Sequence, residues 1–322
     1  MRLWVESKMR PEAMARLRDC CEVVQGGDLK QLEGADGAII SAKPPADAAF
    51  MDRAGPSLKV IARPGIGVDN VEIEAATQRG ILVINTPDAP TESTAEHTVG
   101  LILAVCKRVM AGDMLLRGAE VSRAALLGTE VRGRVLGVVG VGRIGRRVAE
   151  ICGQGLKMQI VAYDPYVDRS QIALPASAWV DDLNALLTRS DVVTLHTWLS
   201  RETRGLMGER ELRKMKPGAF LINASRGPVV DEAALIRVLQ EGHLAGAGLD
   251  VFDPEPPAPD NPLLGMINVV ATPHTAAFTD LGTRGMHDGV VDQILQLRDG
   301  IRPRHLVNPE AWPGRMAGPA TG

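Results

Sequence analysis

An unbroken apolar run, Val135–Val139, leads directly into Gly140-Val-Gly142-Arg143-Ile144-Gly145, and Ile144, Val148 and Ile151 then recur at helical spacing. A short buried strand, a glycine turn and an amphipathic helix form the opening of a βαβ unit. They commit this part of the chain to a parallel sheet covered by helices. The three glycines have separate roles. Gly140 permits the tight turn, Gly142 lets the backbone approach a pyrophosphate, and Gly145 lets the helix sit close to the strand. The helix start offers free N–H groups and the positive end of its dipole. By itself the motif also fits an ordinary strand-to-helix turn. Asp164 narrows the choice, because it stands nineteen residues after Gly145 at the end of the next strand. A carboxylate there accepts hydrogen bonds from the adenosine ribose hydroxyls. Pro165 and Tyr166 supply no guanidinium for a 2′-phosphate and Asp164 repels one, so the expected cofactor is NAD rather than NADP.

The same alternation runs through the chain. A first series, Arg2–Val5, Gly37–Ile40, Lys59–Ala62 and Ile81–Ile84, has helical stretches at Pro11–Asp19 and Asp69–Arg79. A long helix from about Thr94 to Leu116 follows, and then a second series: Val135–Val139, Gln159–Tyr163, Asp191–His196, Ala219–Asn223, Ala245–Val251 and Ile267–Ala271. Asp231–Glu241 and Asp280–Arg298 read as helices, residues 302–310 return to the first unit, and the Pro- and Gly-rich tail Pro313–Gly322 reads as disordered. The length of 322 residues suits two α/β domains.

Composition excludes several classes. A net charge of -3 lacks the basic excess of a dedicated nucleic-acid binder, so an acidic substrate must be met by placed residues. No apolar run reaches the ~18 residues of a membrane span. Met1 opens on a strand-like stretch without a secretory pattern, and the four cysteines show no C-x-x-C spacing. A cytoplasmic location is expected, with neither membrane nor nucleic acid as partner.

Three further segments fall at the C-terminal ends of expected strands, where an open parallel sheet gathers its ligands. They are Asn223-Ala224-Ser225-Arg226-Gly, Asp250-Val-Phe-Asp-Pro-Glu255-Pro and Thr272-Pro-His274-Thr-Ala276-Ala277. Singly, Arg226 reads as a surface cation, Glu255 as a solvated acid and His274 as a core histidine. With the glycine motif, and with Arg63-Pro-Gly65-Ile66-Gly67-Val-Asp69-Asn70, Asn85-Thr-Pro-Asp and Thr94-Ala-Glu96-His97, they closely resemble the D-isomer-specific 2-hydroxyacid dehydrogenase family over roughly residues 35–310.

The resemblance implies two Rossmann-like/flavodoxin-like parallel-sheet domains, with the cofactor domain inserted into a discontinuous substrate domain. Residues 1–97 and 287–322 form the substrate (catalytic) domain and 98–286 the NAD-binding Rossmann domain. It also implies an NAD-dependent oxidoreductase acting on the CH-OH group of a small anionic 2-hydroxy or 2-keto acid. The nearest activities are those of 3-phosphoglycerate dehydrogenase and hydroxypyruvate/glyoxylate reductase. The implied catalytic set is Arg226, Glu255 and His274. Histidine titrates near neutral pH and can serve as acid in one direction and base in the other. Glu255 on its second ring nitrogen fixes the orientation and favours the imidazolium. The planar fork of Arg226 suits a carboxylate. No metal is required.

Implied cofactor contacts are Thr94, Gly140, Gly142, Arg143, Ile144, Gly145, Asp164, His196, Thr197, Ala224, Ser225, Asp250, His274 and Ala276. Implied substrate contacts are Lys43, the N–H groups of Gly65, Ile66 and Gly67 at the head of a helix starting near Asp69, Arg226 and His274. The substrate is expected in the cleft between the domains. A homodimer is implied, with Val99–Val105 as its surface; the competing reading is a buried helix. The chain departs from the family at His196-Thr-Trp198-Leu-Ser200, where His-x-Pro-Leu-Thr is common, and at Ala276-Ala277, where a glycine is more usual. Both changes bear on the pocket and not on the catalytic set. No carboxy-terminal regulatory domain is expected. The alternatives are a relative acting on formate, phosphite or a phosphonate, and an NAD(H)-sensing corepressor-like binding protein.

Overall fold

The structure, a computed structural model, describes residues 1–312; the expected disordered tail lies outside the described residues. The chain divides into two compact units, one of residues 1–90 with those from 278 onward, the other Thr91–Ala277.

The first unit carries strands β1 (Arg2–Val5), β2 (Glu22–Gln25), β3 (Gly37–Ile39), β4 (Val60–Arg63) and β5 (Leu82–Asn85), all parallel, in the order β2-β1-β3-β4-β5. This is the flavodoxin-like order. The central strands are buried on both sides, because Trp4, Ala38, Ile61 and Val83 face one apolar cluster while Leu3, Val5, Val60 and Ile84 face another. Residues 302–310 return as expected: Val307 N–H donates to Val83 O at 2.8 Å, and Asn308 Oδ1 accepts from Val83 N at 2.8 Å. Strand β2 was not foreseen. Its four residues Glu-Val-Val-Gln lie at the edge and are only partly buried, too mixed a pattern to stand out.

The second unit carries β6 (Val135–Val139), β7 (Gln159–Tyr163), β8 (Val192–Leu195), β9 (Phe220–Asn223), β10 (Gly246–Leu249) and β11 (Val269–Ala271), all parallel, in the order β11-β10-β9-β8-β6-β7. A lone parallel bridge from Ala162 to Trp179 stands where a Rossmann sheet has one more strand beyond β7. The chain passes from β6 to β7 on one side and later to β8 on the other, which makes the end of β6 the switch point where such folds bind dinucleotides.

Two expectations need correction. The helix foreseen from Thr94 to Leu116 is two helices, Thr91–Cys106 and Val109–Leu116, broken at Arg108, which adopts a left-handed φ of 56°. The break turns the guanidinium inward, where Nη2 donates to Ala245 O at 3.0 Å and the group lies 5.8 Å from the Phe220 ring centroid. The apolar face at Val99–Val105 is the second. Val99, Leu101, Ile102 and Val105 are spent on the core of their own unit, against Leu136, Phe220 and Ile222, so the stretch is a buried helix and not a free surface.

Candidate active site

At the end of β6 the chain turns at Gly140 with φ 87°, a backbone conformation side chains rarely adopt. A Cβ there would also sit 2.7 Å from His196 O. The helix Arg143–Glu150 begins immediately afterwards, with Gly142 as its N-cap and Ile144 turned into the core. Gly145 packs so closely under the turn that a Cβ would stand 2.0 Å from Gly140 O, whereas Gly142 faces open space. The side chain of Arg143 is exposed on the first turn of this helix. Asp164, buried just past β7, fastens the turn from the side. Its Oδ2 accepts from Val141 N at 2.8 Å and its Oδ1 from Tyr166 N and Val167 N at 2.9 and 3.2 Å. On the other side, past β8, the His196–Thr197 backbone packs against Gly140. The His196 ring bonds Thr194 Oγ1 at 3.0 Å, and burial pushes its pKa down to about 3.

Strands β9, β10 and β11 end in register, with Asn223 beside Leu249 and Leu249 beside Ala271. The three loops that follow therefore start on one rim, about 4.8 Å apart. Arg226, Glu255 and His274 each sit on one of them. His274 Nδ1 lies 2.5 Å from Glu255 Oε1, with both side chains about 40% exposed. An ionised carboxylate only accepts, so Nδ1 carries the hydrogen and Nε2 is the ring's working end. The Arg226 loop is pressed against the Glu255 loop at Gly227, where a Cβ would stand 1.9 Å from Phe252 O. Asn223 shapes that loop: its Oδ1 accepts from Ser225 N and Oγ, and its Nδ2 donates to Arg226 O. Arg226 Nη1 donates to Ser225 O at 2.7 Å. Ser225 is buried and Ala224 packs on the core beneath.

The His274 loop is held by one fully buried carboxylate. Asp250 Oδ1 accepts from Thr272 Oγ1 at 2.6 Å and Thr275 N at 2.9 Å, Oδ2 accepts from Ala276 N at 3.0 Å, and the Asp250 carbonyl accepts from His274 N at 2.7 Å. These bonds hold His274 at a left-handed φ of 55°. Behind them, His97 Nε2 donates to Thr272 Oγ1 at 3.0 Å and lies 3.4 Å from Asp250 Oδ1. Burial alone would raise the Asp250 pKa, but the bonds from His97, Thr272, Thr275 and Ala276 outweigh it and leave the carboxyl below its ordinary value.

The family description that matches the chain is "D-isomer specific 2-hydroxyacid dehydrogenase, NAD binding domain", over residues 99–276. The chain is 43% identical over 256 residues to the D-3-phosphoglycerate dehydrogenase of Archaeoglobus fulgidus, covering 80% of this chain and 48% of that protein. It is 38% identical to the glyoxylate reductase of Thermofilum pendens, covering 94% of each. Among solved structures, the TT0316 protein from Thermus thermophilus superposes with a TM-score of 0.86 at 39% identity, covering 95% of this chain and all of that one. The chain belongs to the D-isomer specific 2-hydroxyacid dehydrogenases. It spans about half the length of the phosphoglycerate dehydrogenases it matches.

The matched segment lies within the second unit, which is the family's NAD-binding domain. Its residues suit the cofactor. Gly142 leaves room beside the helix N-terminus, and the Asp164 carboxylate, with about four acceptor sites and three donors on it, keeps capacity for a ribose hydroxyl. Thr197 Oγ1 is buried and, among the described residues, has no hydrogen-bond partner, the mark of a group that a ligand completes. Thr94 is buried on the helix Thr91–Cys106.

Of the expected dehydrogenase substrate contacts in the first unit, Lys43 is exposed on the loop after β3. Gly65 needs correction as a donor, because its N–H is spent on Thr86 Oγ1 at 2.8 Å. No helix starts at Asp69 either. Asn70 Nδ2 is committed to the carbonyls of Ser41 and Pro44 and Val71 bridges Ala46, so the helix begins at Ile73. Ile66 and Gly67 stay on an exposed or half-buried loop. Sequence reasoning gave no structural part to Asn223, Thr272 or His97. The weak signal for them was position, since each stands at a strand end or inside a motif read for another residue. Among the described residues, no cluster of three or more His, Cys, Asp or Glu could hold a metal, and no helix is long and apolar enough to cross a membrane.

Proposed function

We propose that the protein is an NAD-dependent D-2-hydroxyacid dehydrogenase, reducing a small 2-keto acid or oxidising the matching D-2-hydroxy acid. Activity of the 3-phosphoglycerate dehydrogenase or hydroxypyruvate/glyoxylate reductase kind fits it best. The observation that carries the reading is the His274–Glu255 pair on the same strand-end rim as Arg226. NAD, when bound, supplies or accepts the hydride at C2. The Arg226 guanidinium holds the substrate carboxylate and polarises the C2 carbonyl. His274 Nε2 gives a proton to the developing alkoxide and, in the other direction, takes it from the hydroxyl. Glu255 keeps Nδ1–H engaged, which fixes the ring and balances the imidazolium. Asp250 sets the height of His274, and Ala276 lines the same loop.

On this reading Asp164 rejects a 2′-phosphate, and the first unit, which carries Lys43, Ile66 and Gly67, is the substrate domain. The location is the cytoplasm, in keeping with four free cysteines, two of them buried. The chain acts as a homodimer, its contact built on the exposed Val109, Met110, Met114, Leu115, Leu116 and Leu127 that follow the buried helix. The deciding experiment follows NADH absorbance with hydroxypyruvate, glyoxylate, pyruvate, phosphohydroxypyruvate, and formate and phosphite in the oxidative direction, with chiral analysis of the product. A D-2-hydroxy acid is expected. Turnover of formate or phosphite alone, or NADH binding without turnover of any acid, overturns the proposal.

A further inference from the structure

The second unit has a cavity at the end of its sheet opposite the catalytic rim. It encloses about 100 Å³ where β6, β8 and β9 begin, and its walls include Cys106, Thr129, Arg134, Asp191, Lys216 and Phe220. Strands of four or five residues separate it from the glycine turn and the Arg226 loop, a distance of about 13–16 Å. Its floor is uncharged. Phe220 and Cys106 are buried, and burial pushes the Cys106 thiol up to about 12, although Arg108, Lys107 and Arg134 pull the other way.

The side chains at the mouth have donors to spare. Both oxygens of Asp191 already accept a bond, Oδ2 from Val135 N at 2.8 Å and Oδ1 from Lys216 Nζ at 3.0 Å. Arg134 Nη1 stands 3.9 Å from Asp191 Oδ1, beyond hydrogen-bond reach, and among the described residues its guanidinium makes no hydrogen bond. Lys216 has therefore spent a single donor and Arg134 none. The backbone N–H groups of Thr129, Gly218, Ala219 and Phe220 are spent on carbonyls at 2.7–3.0 Å, so recognition falls to the side chains. Two cations facing one carboxylate leave the mouth with a positive excess.

We propose that this cavity binds a small phosphate-bearing anion, held between the Arg134 guanidinium and the Lys216 ammonium with Thr129 Oγ1 as a further donor. Donors that approach from three chain positions suit a tetrahedral oxyanion, and the guanidinium fork takes two of its oxygens at once. The volume is several times the ~10–15 Å³ that seats one water, which leaves room for a short organic tail over the apolar floor. Bound there, the anion adds a second tie between the starts of β6 and β9, beside the one through Asp191. It competes with neither NAD nor the keto acid, and the assignment stands apart from the dehydrogenase reading.

The test is calorimetric titration of the whole protein, saturated with NADH to keep the glycine turn occupied, with inorganic phosphate and with glycerol 3-phosphate. Ionic strength is held constant with chloride, and the proteins are wild type, Arg134→Gln, Lys216→Gln and Arg226→Gln. One saturable site per chain is expected in the wild type, weakened by about ten-fold or more in Arg134→Gln and Lys216→Gln and unchanged in Arg226→Gln. The tighter of the two ligands tells a free phosphate from a phosphomonoester. Because Arg134 makes no hydrogen bond within the described protein, Arg134→Gln should keep the ligand-free unfolding midpoint, so its loss of binding is not a loss of folding. The ligand should raise the wild-type midpoint and leave that of Arg134→Gln where it was. Wild-type affinity in Arg134→Gln, loss of binding in Arg226→Gln instead, or no saturable binding to the wild type each overturns the proposal.

Discussion

Replacing Asp250 by Asn should cost the protein both stability and catalytic rate. The carboxylate receives Thr272 Oγ1 and Thr275 N on Oδ1 and Ala276 N on Oδ2, with no solvent in reach. An amide keeps one acceptor oxygen and points an NH2 at a backbone N–H or a hydroxyl. At least one bond to a charged acceptor, worth about 1.5–3 kcal/mol, is lost and becomes a donor facing a donor. The remaining bonds weaken to neutral ones, and together the change amounts to about 3–5 kcal/mol. With these bonds lost or weakened, the backbone bond from His274 N to Asp250 O is left to hold His274 at φ 55° with less support, so the ring drifts from Glu255 and the oriented Nε2 is lost. Urea unfolding of ligand-free protein measures the first effect and steady-state kcat the second, with a fall of roughly a hundred-fold expected for a misplaced acid/base. A variant with an unchanged unfolding midpoint and kcat within two-fold of wild type would refute the clamp.

Four other outcomes follow from the same geometry. Gly145→Ala should weaken NADH binding sharply, because its Cβ needs more than 1 Å of room that Gly140 O, at 2.0 Å, does not leave; titration calorimetry reads this. Arg226→Lys should lower kcat/KM by about a hundred-fold while leaving NADH affinity alone, since an ammonium cannot replace a planar fork on a carboxylate. His97→Phe should shift the pH profile of kcat through the Thr272–Asp250 clamp, and an unshifted profile would leave His97 a packing residue only. His196 is held neutral when folded, with a pKa near 3, but protonates below about pH 6.5 when unfolded. Its stabilisation is therefore complete above pH 6.5 and lost as pH falls toward 3, by about 1.4 kcal/mol per unit. A His196→Gln variant should show a flatter fall in urea midpoint over that range, and parallel curves would exclude the effect.

Much of the fold was legible because parallel strands buried on both faces read as apolar runs. All six strands of the second unit were found to within two residues at either end. What escaped lacked that signal. Edge strand β2 alternates nothing, and the bridge at Trp179 is one residue long. The break at Arg108 carries neither Gly nor Pro; it exists because a tertiary contact with Ala245 repays a left-handed arginine. In the site, the residues that do chemistry were readable from type and order. Their supports were not, because Asn223, Asp250 and Thr272 act through backbone groups brought together by strand register. Gly65 shows the converse. Its place in a motif suggested a free N–H, but Thr86, twenty-one residues on, had already claimed it.

The central claim is that His274, aimed by Glu255, moves the proton that accompanies hydride transfer. Single-turnover oxidation of enzyme-bound NADH by a saturating 2-keto acid, in wild type and His274→Ala, measures that step alone. The expected result is a rate constant lower by roughly 10²–10⁴ in the variant, with NADH affinity within two-fold of wild type. Equal rate constants in the two proteins would contradict the account.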